Sequence, residues 1–110
     1  MPTDCIFCDI VAGKTATRFL RETENLVVFN DINPHAPIHQ LIVPKKHIRS
    51  INDIADEDQQ IVSDLIFAGK EAAVAAGVAA TGYKLVFNVE RGGGQVIFHL
   101  HLHLVGGWRR

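Results

Sequence analysis

The stretch Val96-Ile97-Phe98-His99-Leu100-His101-Leu102-His103-Leu104-Val105 decides how this chain is read. Its residue types alternate strictly, which is the period-2 signature of a strand with two unlike faces. Val96, Phe98, Leu100, Leu102 and Leu104 are expected to face a core. Ile97, His99, His101, His103 and Val105 are expected to line something polar or metal-bearing. Side chains two apart on one strand face stand about 7 Å apart, and four apart about 13 Å. One metal ion with ligands at about 2 Å can therefore take two of these histidines, not three. The triplet suits a neutral imidazole flanked by two others that hydrogen-bond or bind metal. A solvated polar face is the plain alternative.

Neighbouring segments fill in the fold. Residues 4–12 are expected to form a short helix, with Asp4 as N-cap and Gly13 beyond the end. Phe19 to Glu22, Leu26 to Asn30 and Gln40 to Val43 read as strands, the third ending at Pro44. Asp31 to Pro37, with two prolines and an Asn, reads as a loop. Asp56 to Gly77 is the long helix: Asp56 with Gln59 resembles a capping box, and Ile61, Leu65, Ala68, Ala72 and Ala75 form an apolar stripe. Tyr83 to Val89 is strand again. The order β-β-β, long helix, β-β suits an α+β fold, an antiparallel sheet with a helix packed on one face.

Composition bounds the function. The chain has 110 residues, enough for one domain, 1–110, whose modest core would gain from burial in an oligomer. Lys+Arg 11 against Asp+Glu 12 lacks the positive field that nucleic-acid binding needs. The longest apolar run, Ala72 to Ala80, is far short of the roughly 20 residues that cross a bilayer. With no signal-peptide pattern at the start, a cytoplasmic location is expected. Both cysteines lie in Cys5-Ile6-Phe7-Cys8, which in an unexported chain reads as metal or redox chemistry before a disulfide.

Imidazole is a good nucleophile toward phosphorus at neutral pH if one nitrogen is unprotonated and aimed. The loop ahead of the histidines, Gly92-Gly93-Gly94, can turn backbone N–H groups toward an anion. Glycine-rich loop, strand and aimed histidine together make a phosphoryl-transfer layout. Asp31 is as readily a turn former as a ribose ligand, Asn88 can simply end its strand, and Phe29 can be core. Lys45-Lys46 reads as a solvated turn.

His99-Leu100-His101-Leu102-His103-Leu104-Val105 resembles the His-φ-His-φ-His-φ-φ signature of the histidine triad family, where φ is apolar. Ile6-Phe7, Phe29-Asn30-Asp31-Ile32, Ala36-Pro37-Ile38-His39, Ile42 to Ile48, Gly82-Tyr83-Lys84 and Gly93-Gly94-Gln95 resemble its nucleotide-binding branch, in the same order from residue 4 to 107. The resemblance implies a five-stranded antiparallel sheet with one long and one short helix, joined in a homodimer into ten strands. It implies a purine nucleoside phosphoramidase: His101 attacks the α-phosphorus, His103 binds a phosphate oxygen and assists the leaving group, and His39 acts on the site through His101. AMP or GMP would be held by Asp31 and Asn88 on the ribose side, by Ile6, Phe7, Phe29 and Ile32 around the purine, and by Gly94, Gln95 and Val96 at the phosphate. Hydrolysis of dinucleoside polyphosphates or nucleotide esters, or nucleotide binding without catalysis, are the alternative readings.

Many bacterial members of the family use a zinc set of two cysteines and two histidines. The resemblance implies Cys5, Cys8, His47 and His99 as its ligands here and a structural zinc with no part in the chemistry. A reduced thiol pair or a redox couple are the other uses of the cysteines. Val96 stands where some relatives have Ser, and after Gly106-Gly107 only Trp108-Arg109-Arg110 follow where the family has a longer tail. His35 has no assigned role.

Overall fold

The computed structural model describes residues 5–109. Five strands form one antiparallel sheet: β1 (Arg21–Glu22), β2 (Leu26–Asn30), β3 (Ile38–Pro44), β4 (Tyr83–Val86) and β5 (Leu102–Gly106), in the order β1-β2-β3-β5-β4. Two α-helices accompany them, the short α1 (Ile6–Val11) and the long α2 (Gln59–Ala75). The α+β class and the helix complement are those expected.

The central strands β2 and β3 are buried on both faces. Leu26, Val28, Ile42, Leu102 and Leu104 meet Leu65, Ala68 and Ala73 of α2. Val27, Phe29, Leu41 and Val43 meet Phe7 and Ile10 of α1 on the other face. Helix α2 approaches the sheet at Gly69, where a Cβ would stand 3.0 Å from Leu85 Cδ2 and 3.1 Å from Leu102 Cδ2. Gly77, at φ +78°, follows the helix in the left-handed conformation expected of a terminating glycine.

Several boundaries differ from expectation. Helix α1 is capped by Cys5, whose Sγ accepts from Cys8 N–H at 3.3 Å; Asp4 lies outside the described residues. Asp56–Asp58 form a 3₁₀ turn, and the α-helix starts only at Gln59. The reciprocal contact there is Asp58, not Gln59: its carboxylate accepts from Ala55 N–H at 3.0 Å and from Lys46 Nζ at 2.6 Å. Ala75 is exposed, and Ala73 is the buried position instead. Strand β1 is shorter than Phe19 to Glu22, β3 begins earlier, at Ile38, and β4 ends at Val86 rather than Val89.

The largest correction concerns the decisive stretch, because β5 begins at Leu102 and not at Val96. Upstream, the backbone groups a ladder would need are bonded elsewhere. Gln95 Nε2 donates to Ile97 O at 3.1 Å, Leu100 N–H to Ile48 O at 2.6 Å, and His101 Nδ1 to His99 O at 2.7 Å. Of the expected core face, Leu100, Leu102 and Leu104 are buried, Phe98 lies under the Arg49 guanidinium at 4.3 Å, and Val96 is 85% exposed.

Candidate functional site

The sheet face under α1 opens into a cleft of about 890 Å³. Its apolar end is made by Ile6, Phe7 and Ile10 of α1 with Phe29 of β2; Ile32, 90% exposed, stands on its rim. Asp31, His39, His101, His103, Asn88, Gly94 and Val96 also line it. All but one of the nucleotide-contact residues expected from the sequence thus share one cavity. The exception is Gln95, which is buried in the loop. Its Oε1 accepts from Glu90 N–H at 2.7 Å, and its Nε2 donates to Arg49 O at 2.8 Å and to Ile97 O.

The glycine-rich segment is a 3₁₀ turn, Arg91–Gly93, entered by Glu90 at φ 59° and left by Gly94 at φ +85°. A non-glycine residue in this region is strained and persists only when its surroundings hold it. Arg49 donates twice to the Glu90 carboxylate, at 3.0 and 3.2 Å, Ser50 Oγ donates at 3.1 Å, and Gln95 takes its N–H. The Arg49 guanidinium holds the Glu90 carboxyl below the usual carboxylate range. Asn88 Nδ2 donates to Gly93 O at 2.9 Å and fixes the loop from the cleft side.

Hydrogen bonding settles which nitrogen of each histidine carries the proton. A carbonyl only accepts, so His101 donates from Nδ1 to His99 O and keeps a bare lone pair on Nε2. His35 N–H donates to His39 Nδ1 at 3.0 Å, which puts the His39 proton on Nε2. That Nε2 lies 3.0 Å from His103 Nδ1 and 3.5 Å from Asp31 Oδ2. His103 Nδ1 therefore accepts, and its own proton is on Nε2. The two cleft histidines, with ring centroids 4.8 Å apart, are opposite in kind: His101 bears an acceptor and His103 a donor at the same ring position. His39 bonds to His103 and not to His101, contrary to the expected route of its influence. Asp31, His39 and His103 also bring three ligand-type atoms together. The His35 bond opposes a metal there, since it leaves the His39 Nε2 protonated.

Burial governs their charge. It lowers His101 and His39 from the usual imidazole value, against the pull of the His99 carbonyl and of Asp31 respectively. His103 is pushed down to about 4 by burial and by the neighbouring His101 and His39. All three are neutral imidazoles at neutral pH.

His99 turns the other way. Its Nε2 donates to Pro44 O at 2.9 Å, so its Nδ1 lone pair faces a second cluster. There His99 Nδ1 lies 3.1 Å from His47 Nδ1, 3.4 Å from Cys5 Sγ and 3.5 Å from Cys8 Sγ, with Cys8 Sγ 3.2 Å from His47 Nδ1. A tetrahedral zinc with bonds of about 2.0–2.3 Å has ligand–ligand edges of roughly 3.3–3.8 Å. These four separations fit zinc within a few tenths of an ångström, and all four donor atoms lie within 4.8 Å of one another. Its electrostatics fit too: burial and the adjacent Cys5 raise the Cys8 thiol to about 11, so a cation is needed for both cysteines to be thiolates. Burial lowers His99 to about 4, the neutral form a metal ligand requires. Phe7, between the two cysteines, places its ring edge-to-face against both His99 and His101, at 5.9 and 5.0 Å.

Sequence reasoning missed three contributors. His35 acts through its backbone N–H on His39. Lys84 and Trp108 line the cleft beyond His103, with the Lys84 ammonium 5.3 Å from the Trp108 ring centroid. Strand parity was the available signal for Lys84, since it shares a face with Val86 and Asn88.

Comparison with known proteins gives the family and the fold. Residues 4–107 match the family described as scavenger mRNA decapping enzyme C-term binding. The purine nucleoside phosphoramidase of Escherichia coli (strain K12) is 35% identical over 107 residues, 97% of this chain and 90% of that protein. A HIT family hydrolase from Legionella pneumophila Philadelphia 1 is 45% identical, with a TM-score of 0.93 over 96% of this chain and 95% of that one. A Zn-bound histidine triad family protein from Mycobacterium smegmatis is 33% identical, with a TM-score of 0.82 over 93% of this chain and 73% of that one. With His99 in a thiol cluster and His101 and His103 in a nucleotide-sized cleft, this chain belongs to the histidine triad family.

Proposed function

We propose that the protein is a hydrolase of purine nucleoside 5′-phosphoramidates, releasing AMP or GMP through a nucleotidyl-histidine. The observation that carries this reading is the opposed tautomers of His101 and His103 in one cleft. His101 Nε2 attacks the α-phosphorus, a P–N bond to His101 forms, and the P–N bond to the leaving amine breaks. His103 gives its Nε2 proton to the departing nitrogen, which leaves as the neutral amine. The negative charge this leaves on the His103 ring is balanced by the cationic nucleotidylated His101 ring, 4.8 Å away between centroids. Water then attacks phosphorus from the vacated side, His103 Nε2 takes its proton, and the bond to His101 breaks. His39 holds His103 in the tautomer that can donate. The 35% identical phosphoramidase of E. coli supports the substrate class.

Purine stacking falls to Ile6, Phe7, Phe29 and Ile32, ribose contact to Asp31, and phosphate contact to Gly94, Val96 and Asn88. Gln95 shapes the loop and does not touch the ligand. Cys5, Cys8, His47 and His99 would hold a structural zinc, whose closed ligand set leaves no position for a reacting water. The reduced thiols that zinc requires suit the cytoplasm. We read the protein as a homodimer that continues the sheet to ten strands; the edge strand β4 offers the unpaired backbone for this.

Rapid quenching during turnover of an AMP phosphoramidate, followed by intact-mass spectrometry, tests the reading. A nucleotidyl adduct on His101 is expected. AMP binding with neither adduct nor turnover would overturn it in favour of a binding protein.

A further inference from the structure

The cleft continues past the reacting histidines. The ladder pairs His39 with Val105 and Val105 with Lys84, and Asp31 N–H donates to His39 O at 3.0 Å. Asp31, His39, Val105 and Lys84 thus form one row across the site face. With strands about 4.8 Å apart, Asp31 and Lys84 stand at opposite ends of it, roughly 14 Å from each other. Among the described lining residues Asp31 is the carboxylate and Lys84 the ammonium. No acidic side chain among the described residues lies within ion-pair distance of Lys84. Its ammonium is drawn over the Trp108 ring instead, at 5.3 Å.

The geometry points to Lys84 and Trp108 as the leaving-group subsite, selecting amines that carry a carboxylate, that is, α-amino acids joined to phosphorus through their nitrogen. This rests on the phosphoramidase reading. With ribose at the Asp31 end, the group on the far side of phosphorus extends toward Lys84. A cation with no anionic partner among the described residues, beside an aromatic face, matches a carboxylate next to an apolar side chain. The Lys84 side chain rises from the site face, so pairing of the β4 backbone with a second copy leaves it in the cleft.

Two conjugates differing by one carboxylate test the assignment: AMP linked to the nitrogen of phenylalanine, and AMP linked to 2-phenylethylamine. The wild-type protein is expected to favour the phenylalanine conjugate about five-fold in kcat/KM at low ionic strength, a factor typical of a partly solvated charge pair. Near 0.5 M salt the preference should shrink. Lys84→Met should bring the ratio to about one, Lys84→Glu should invert it, and Lys84→Arg should preserve it. Circular dichroism and Tm would confirm that each variant is folded. A wild-type ratio of one or less, or a ratio unchanged in Lys84→Met, overturns the proposal. Failure to cleave either conjugate would instead sink the phosphoramidase reading and take this proposal with it.

Discussion

His39 Nε2 stands 3.0 Å from His103 Nδ1, and the bond has a direction because His35 N–H occupies the other nitrogen of His39. A backbone amide thus decides, two residues removed, that His103 presents a proton to the cleft. His39→Ala frees His103 to take the wrong tautomer. We expect kcat for an AMP phosphoramidate to fall by about 10²-fold, the usual worth of one positioned proton donor, with KM changed much less. A fall confined to KM would contradict the assignment.

Loss of the nucleophile should be more severe. His101→Ala is expected to remove turnover to below a few per cent of wild type while retaining AMP binding by calorimetry, since the apolar walls and Asp31 remain. Substantial residual kcat would move the attacking atom elsewhere.

Acid should weaken the fold through the same histidines. The folded chain resists protonating His103 until about pH 4, whereas an unfolded imidazole titrates near 6.5. Between those values the unfolded state binds the extra proton. Stability is therefore fully present above about pH 6.5 and is lost as pH falls toward 4. Urea midpoints measured at steps from pH 7.5 to 4.5 should fall through this window, and fall less in His103→Asn. Asp58 and Glu90, held low by Lys46 and Arg49, add their losses only further down, below the usual carboxylate range.

Metal removal offers an independent check. Elemental analysis should find about one zinc per chain, and chelation should free two titratable thiols and lower Tm by about 10 °C, as expected for a few kcal/mol of lost binding. Nucleotide affinity should weaken in parallel, because α1 carries Ile6 and Phe7 into the cleft. Chelation without effect on Tm would argue for a plain thiol pair.

Packing between α2 and the sheet is tightest at Gly69. Gly69→Val adds a branched side chain where even a Cβ meets Leu85 and Leu102 at 3.0–3.1 Å, and should cost about 2 kcal/mol by chemical denaturation. Leu65→Ala, at a fully buried site, should cost about 3 kcal/mol.

Local periodicity made much of this legible. The stripe Ile61, Leu65, Ala68, Ala72 placed α2, and alternation in Leu102 to Val105 placed β5 and the cleft-facing His103. Strand spacing excluded a single metal held by all three histidines, and the family resemblance supplied their division between two sites. What failed was the assumption that alternation implies a ladder. In residues 96–101 the backbone bonds to the Gln95 side chain, to Ile48 and to the His101 imidazole, and such side-chain and distant partners leave no periodic trace. Gln95 looked like a ligand-facing residue because nothing local shows that Glu90 needs its N–H satisfied. The role of His35 lay in its backbone, where side-chain chemistry gives no hint.

One six-residue helix with its cap residue carries two interleaved messages. Cys5 and Cys8 point to the thiol–imidazole cluster, while Ile6 and Phe7, the residues between them, face the cleft. Each residue advances the helix by 100°, so deleting one residue between the cysteines would swing either the sulfur or the aromatic ring a quarter-turn off target. The spacing of this motif is thereby locked from two sides at once. A lineage that discards the sulfurs must still keep the count, because the purine wall is written in the same letters.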